Sequence, residues 1–382
     1  MEKFLHRTWA EIDENALIHN FNIVKSTAKT RVCAVVKANA YGHGVKIVPP
    51  VLQKAGADFF AVSNLEEAIE LRDIGITKPI LILGYTPCEC AEELYKNDIS
   101  QCVFSLEYAS ALSLEAQKNN FKIKIHLKLD TGMSRLGFDC RNNNLCGIDD
   151  AIKAAKLDGF ILEGVFTHFA VSDRNEAQED GFTNEQYNRF CEAVDTLSAN
   201  GLNAEYKHCC NSAAICKDDD KHLNMCRAGI ILYGLTPSSE LELEQDFIPV
   251  MSFKSVVSQV KTIHKGDTVS YGRTFKAEKD MQIATVSAGY ADGYSRLLSN
   301  RGYVLINGKR ANIVGRVCMD QLCVDVSGID GVKRDDEVLL FGKDLPVEIP
   351  AEIIGTINYE LVCAVSSRVK RIAKKGPENK GV

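Results

Sequence analysis

Through roughly the first 235 residues, short β-branched apolar runs alternate with amphipathic stretches. The runs VCAVV (32–36), ADFFAV (57–62), PILIL (79–83), SQCVF (100–104), KIKIHLKL (122–129), ILEGVFTH (161–168), EYKHC (205–209) and RAGIILY (227–233) predict strands. Between them the period turns helical. The stretch after Asn64, LEEAIELR, opens on an Asn cap with an acidic first turn. Gly181 to Leu202 carries Phe182, Phe190, Ala193, Val194 and Leu197 on one side. Eight strands with intervening helices predict an α/β protein whose N-terminal part is a (β/α)8 TIM-type barrel. An open doubly wound sheet is the rival, weakened because no GxGxxG follows the first strand.

After Pro237 the texture changes. The acidic stretch SSELELEQD predicts a linker. From Ile248 the short runs SVVSQVKTIH, QIATVS, YVLING, CVDVS and EVLLFG are separated by Gly-Asp, Asn-Gly and Lys-Gly turns, which predict a mostly antiparallel β C-terminal domain. The division drawn is 1–243 for the barrel and 244–382 for the β-rich domain.

Composition narrows the function classes. Apolar residues are 45% and charged residues 25% of 382, so a core of ordinary size is available. A net charge of −6 argues against a protein that coats nucleic acid and leaves small-molecule chemistry open. The N-terminus MEKFLHRTWAEIDEN has no apolar signal-like core, and no apolar run approaches the ~20 residues of a membrane span. A cytoplasmic chain without membrane association is expected. The 14 cysteines form no CxxC pair, which disfavours a zinc site. Cys216, His222 and Cys226 could be imagined as ligands, but reduced, buried or incidental thiols are the favoured reading, and no metal is expected.

In a barrel, chemistry gathers at the C-terminal ends of the strands. The first strand runs into Lys37, followed by ANAYGHG. A lysine there projects its amine into the barrel mouth, where desolvation suits a Schiff-base or general-base role; snorkelling to solvent is the alternative. The fifth strand ends in Lys128, Asp130 and Arg135, for which a surface ion pair is the plainer reading. The sixth ends in Thr167-His168, and a lone histidine is more often a structural hydrogen-bonder than a catalyst. Ser212 after the seventh strand and Gly229 after Arg227 lie where barrels hold phosphate on backbone N–H groups. A cofactor lysine together with a phosphate cradle points to pyridoxal 5'-phosphate.

The string VVKANAYGHG resembles the cofactor-lysine signature of alanine racemases, of the fold-type III pyridoxal-phosphate class. KLDTGMSRLG, EGVFTHFA, NSAA, RAGIILYG, SYGRTF, GYADGY, GRVCMDQ and TINYE resemble further family segments, in family order, from about Thr8 to Arg371. The resemblance implies an isomerase that interconverts L-alanine and D-alanine by two bases, supplying D-alanine for peptidoglycan. Lys37 would hold the cofactor and serve as one base; Tyr271 of the second subunit would be the other, so a homodimer with shared sites is implied. Tyr41, Ser212, Tyr359 and the amides of Gly229 and Ile230 would surround the phosphate. Arg227 would face the pyridine nitrogen. Arg135 would lie near the phenolic oxygen and the substrate carboxylate, and His168 between Tyr271 and Arg227. Met319 and Asp320 of the partner would line the substrate pocket, and Lys128 matches a lysine often carbamylated in the family.

The physical logic agrees. Tyrosine is a poor base at neutral pH unless a hydrogen-bond network and positive potential favour its ionised form, and a His168–Arg227 chain could supply both. Guanidinium does not give up its proton, so Arg227 would keep the pyridine nitrogen unprotonated and the ring a weaker electron sink. Rival readings are a serine or dual Ala/Ser racemase, since a hydrophobic pocket discriminates poorly against one added hydroxyl. Asn358 and Ser367 fall at variable positions and decide nothing. A barrel decarboxylase would place an acidic residue where Arg227 stands, and a non-enzymatic cofactor carrier would lack the β domain.

Overall fold

The computed structural model describes residues 7–142, 144–174 and 181–375. Its contacts divide the chain into two compact units, Ile18–Ala40 with Val48–Phe247, and Met1–Leu17 with Tyr41–Ile47 and Ile248–Val382.

The first unit is a nearly closed parallel barrel. Its strands are β1 (Arg31–Val35), β2 (Phe59–Val62), β3 (Ile80–Ile82), β4 (Ile99–Val103), β5 (Ile123–Asp130), β6 (Phe160–Phe166), β7 (Tyr206–His208) and β8 (Met225–Ala228). They pair in the order β8-β1-β2-β3-β4-β5-β6-β7. Seven fall where the apolar runs predicted them. The eighth is displaced: β8 covers MCRA, and the apolar IILY that had been read as strand is a 3-10 turn, Ile230–Tyr233. Gly229 breaks the run at φ −115°, ψ −104°, and the Tyr233 hydroxyl donates to the carbonyl of Val35 (3.1 Å), fastening that turn to the end of β1.

No strand ladder joins β7 to β8. The seam is crossed by the Arg227 N–H, which donates to Cys210 O at 3.1 Å, and by the Arg227 side chain. Strands covered on both faces are expected to read as continuous apolar runs. Here the polar residues of β5 and β7 break that rule, because His126, Lys128 and His208 are buried.

In the β-rich unit, the long strand Met251–Ile263 pairs antiparallel with Thr8–Asp13, Met281–Val286 and Glu337–Phe341. Thr8–Asp13 also pairs parallel with Lys370–Lys374, so the sheet is mainly antiparallel. The five C-terminal strands predicted from the sequence are all present. The expected cut at 243 placed the N-terminus with the barrel. The contacts instead group Thr8–Asp13 with the β-rich unit, because this strand gains ladder partners on both sides and buries Trp9, Ala10 and Ile12 there. No helix among the described residues is long and apolar enough to cross a membrane.

Candidate active site

The rim of the barrel begins at Lys37, directly after β1. From there Ala38, Asn39, Ala40 and Tyr41 have φ of 53°, 53°, 53° and 51°, one turn of left-handed helix without a glycine. Each such residue costs on the order of 1–2 kcal/mol. Strain of this kind persists only where surrounding structure enforces it. Glu67 supplies part of that enforcement: its carboxylate accepts from the N–H of Ala38 (2.6 Å) and of Ser63 (2.8 Å). Asn64 caps the helix Leu65–Asp73 through the Glu67 N–H, as the sequence predicted. The sequence reading took Glu67 as a first-turn acid only. The Asn-x-x-Glu spacing of a capping box was its visible signal, although this side chain reaches past the cap to the strand end.

Four cations gather at the rim around one imidazole. His168, half-buried after β6, is held well below the ordinary histidine range by burial and then by the charges of Arg227, Lys128, Arg135 and Lys37. It is neutral at pH 7. Arg227 Nη2 lies 3.3 Å from His168 Nδ1, so the guanidinium donates and Nδ1 accepts, leaving the ring proton on Nε2. The same guanidinium donates to Thr167 O (2.8 Å), Cys209 O (3.0 Å), His208 O (3.1 Å) and His208 Nδ1 (2.8 Å). Its terminal nitrogens are thus engaged by the ends of β6 and β7, and Nε–H is the donor outside these bonds.

Lys128 is buried over the Phe166 ring, with Nζ 4.8 Å from the ring centroid and no hydrogen-bond partner among the described residues. Burial, reinforced by Arg227 and Arg135, lowers its amine to about 7. Arg135 is exposed. Asp130, which the sequence suggested as an ion-pair partner, uses Oδ1 to accept from the N–H groups of Gly132 (3.0 Å) and Ser134 (2.9 Å) and so shapes its own loop. On the far side of the rim, Asn211 caps Ser212–Lys217, and Ser212 Oγ accepts from the Gly229 N–H at 2.9 Å. That amide is therefore turned to Ser212, whose hydroxyl keeps its own proton for a further bond.

In the β-rich unit Tyr41 lies beside Tyr359, with ring centroids 6.0 Å apart. Gly42 at φ +77° passes so close to the helix Asn358–Ala364 that a Cβ would sit 1.9 Å from Val362 O. Tyr271 is 73% exposed on a tight turn where Ser270, Gly272 and Arg273 all have positive φ. Ser270 Oγ donates to Arg316 O (2.7 Å) and lies 3.3 Å from Cys318 Sγ, which ties this turn to the segment carrying Met319, itself 53% exposed. Gly289 of GYADGY lets the same segment pack: a Cβ there would meet Cys318 O at 2.3 Å. Asp320 is held by Arg368 Nη2 (2.6 Å), and Arg368 Nε in turn by the buried Asp292 (2.8 Å), which also pairs with Arg7. The sequence reading missed Arg7, Asp292 and Arg368. They are scattered along the chain, and only folding makes them a cluster.

The candidate metal trio is rearranged. Cys210, not Cys216, joins His222 and Cys226, with ligand atoms within 4.8 Å of one another. His222 Nδ1 faces Ala28 O (3.2 Å) and Nε2 faces Ile215 O (3.1 Å), while the thiols of Cys210 and Cys226 donate to backbone carbonyls.

Residues 12–237 match the alanine racemase N-terminal domain family and residues 250–373 the alanine racemase C-terminal domain family. The chain belongs to the alanine racemase family. It is 44% identical over 375 residues to an alanine racemase of Desulfovibrio desulfuricans, covering 97% of this chain and 99% of that one. An alanine racemase of Clostridium tetani is also 44% identical, over 379 residues, with 97% and 96% covered. Among solved structures, alanine racemase of Clostridium difficile 630 superposes with a TM-score of 0.91 at 40% identity, with 98% and 97% of the two chains covered. The enzyme from Bacillus anthracis with bound L-Ala-P gives 0.89 at 36% identity, with 97% and 96% covered. Membership at this coverage makes the chain an isomerase of the alanine racemase type.

Proposed function

We propose that the chain racemises alanine with pyridoxal 5'-phosphate at the barrel mouth, using Lys37 and the partner subunit's Tyr271 as bases on opposite faces of the α-carbon. The observation that carries this reading is the convergence of four cations on a neutral His168. Such a mouth fits an anionic cofactor and a carboxylate substrate. The residues fit the group: an amine at the end of β1, a serine hydroxyl at Ser212 that keeps its proton to donate, and Arg227 with Nε–H outside its other bonds. Tyr41, Tyr359 and the Gly229 and Ile230 segment would complete the phosphate surroundings.

The cofactor supplies, when bound, a sink for the electrons left at the α-carbon. Lys37 removes or returns the proton on one face and the Tyr271 phenolate does so on the other, because inversion needs a base on each side. Arg227, fastened to the ends of β6 and β7, would offer a non-titrating cation to the cofactor's ring nitrogen and so would leave that nitrogen unprotonated. His168, with its proton on Nε2, is a donor that favours the ionised phenol of Tyr271. Arg135 and the partner's Met319 amide would hold the substrate carboxylate, with Asp320 at the pocket wall. Lys128, a buried amine with a partly neutral population, would add to carbon dioxide: its nitrogen forms a bond to the carbon, a C=O electron pair moves to oxygen, and one proton leaves. The resulting carbamate would bond Arg135 instead of repelling it. Supplying D-alanine for peptidoglycan in the cytoplasm is the role this activity suits.

The test of the shared site is complementation. Lys37→Ala and Tyr271→Phe chains, each inactive alone, are mixed under conditions that exchange subunits. A mixed homodimer scaffold then holds one site with both native bases, and random exchange restores about a quarter of wild-type activity. No recovery in mixtures shown to contain mixed dimers would refute the two-subunit assignment. Parallel assays of kcat/KM on L-alanine and L-serine test the substrate.

A further inference from the structure

A chain of buried polar side chains leaves Arg227 and descends through the barrel. Arg227 Nη1 lies 2.8 Å from His208 Nδ1, His208 Nε2 lies 3.0 Å from His126 Nδ1, and His126 Nε2 lies 3.0 Å from Glu163 Oε2. Ser100, near the start of β4, donates to that same carboxylate oxygen. Both histidines are buried and held neutral, His208 by burial and the Arg227 charge, His126 by burial against the pull of Glu163.

Only one set of proton positions satisfies this chain. A guanidinium donates and never accepts, so His208 Nδ1 must be bare and its proton must lie on Nε2. That N–H donates to His126 Nδ1, which puts the His126 proton on Nε2, facing the carboxylate. The hydrogen-bond partners of the Arg227 guanidinium are the His208 and His168 imidazoles and three backbone carbonyls, all neutral, and a buried cation without compensation is costly. Glu163 is the first anion the chain reaches. Hydrogen bonds in series polarise one another, so the anion at the foot of the chain strengthens the acceptor that His208 presents at the top.

We propose that Glu163 is a positioning residue for racemisation, acting through His126 and His208 to fix the orientation of the Arg227 guanidinium. This rests on the reading above that Arg227 faces the cofactor's ring nitrogen. Glu163 touches neither substrate nor cofactor. It accepts from the His126 Nε2–H that Arg227's donation dictates, and so strengthens the acceptor that His208 presents to Arg227 at the ends of β6 and β7. The sequence gives little hint of it, because Glu163 and His126 read as ordinary strand residues.

The experiment begins with the wild-type protein freed of cofactor and labelled with 15N-histidine. Two neutral rings protonated on Nε2 are expected for His126 and His208, and any other tautomer at either position overturns the proposal. Glu163→Ala then removes the acceptor, while Glu163→Gln keeps an acceptor oxygen without the charge. In Glu163→Ala both tautomers persist, because Arg227 dictates them, while the 15N shifts of both histidines move with the weakened chain, the absorption of the bound cofactor shifts, and kcat falls roughly tenfold or more with KM for alanine changed far less. Glu163→Gln, which keeps the acceptor but not the charge, recovers part of the histidine shifts and part of kcat. A Glu163→Ala protein with unchanged histidine 15N shifts and kcat, or a Glu163→Gln protein no better than Glu163→Ala, overturns it. Arg227→Lys separates the two claims: if the cofactor's absorption does not respond to that change while the wild-type tautomers stand as described, the placement of Arg227 at the ring nitrogen is what fails, and the proposal falls with it.

Discussion

Lys128 should react with carbon dioxide at neutral pH while the surface lysines do not. Its amine is buried, has no hydrogen-bond partner among the described residues, and is lowered from 10.5 to about 7. At pH 7 about half of it is neutral, against roughly 0.03% of an ordinary lysine, so the nucleophilic population is about 10³-fold larger. The same depression has a stability consequence. Between the folded value and the unfolded 10.5 the unfolded chain binds the extra proton, so without carbon dioxide stability rises with pH across that window. The whole shift corresponds to about 5 kcal/mol, reached only when the pH passes the unfolded value. A wild-type protein given 13C-bicarbonate should show one carbamate carbon signal that is missing from Lys128→Met. In carbon-dioxide-free buffer, urea unfolding from about pH 6.5 to 9 should give a steeper rise for wild type than for Lys128→Met. Absence of the carbamate signal together with parallel pH profiles would refute the reasoning.

Arg227→Glu puts a proton-donating acid where a fixed cation stood; loss of alanine amino groups to the cofactor, followed as pyruvate, is expected to increase, with racemisation falling. Gly42→Ala forces a Cβ to within 1.9 Å of Val362 O at φ +77°, so destabilisation of at least about 3 kcal/mol, or failure to fold, is expected in urea titration. Removing the cofactor should lower the thermal midpoint, since a ligand at a hundred times its Kd adds about 2.7 kcal/mol. Part of that loss should be recovered by inorganic phosphate if the rim near Ser212 holds the phosphate.

How much of this was legible beforehand depends on what each residue does. The apolar runs of β1 to β4 declared themselves because a parallel strand covered on both faces is continuously hydrophobic. IILY misled for the same reason: a buried 3-10 turn is as apolar as a buried strand, and periodicity cannot separate them over four residues. The N-terminal strand TWAEID was passed over because its partners lie some 240 residues away in Met251–Ile263. In the site, Lys37 and Arg227 were visible from motif and strand position. Glu67, Glu163 and the Asp292–Arg368 pair were not, because each acts through a contact that only the fold creates. KIKIHLKL holds the one clue that was available. Lys124, His126 and Lys128 alternate with apolar residues as on a half-exposed strand, yet in a barrel the polar face of that alternation can point inward.

That inward polarity also explains the rim's charge balance. Lys37, Lys128, Arg135 and Arg227 all bear on His168, while the carboxylate at the same strand end, Asp130, caps its own loop. A group of cations so placed has two ways to relax. It sheds protons, which is what the lowered Lys128 and the neutral His168 register. Or it gathers anions, and the proposed reaction brings one for each demand: a phosphate, a substrate carboxylate, a carbamate on Lys128 and a phenolate from Tyr271. Arg227 alone can do neither at its buried end, since guanidinium keeps its proton and Thr167, Cys209 and His208 offer it only neutral acceptors. The nearest remedy the barrel provides is the carboxylate of Glu163, reached through two imidazoles, and this is why that chain belongs with the chemistry as well as with the packing.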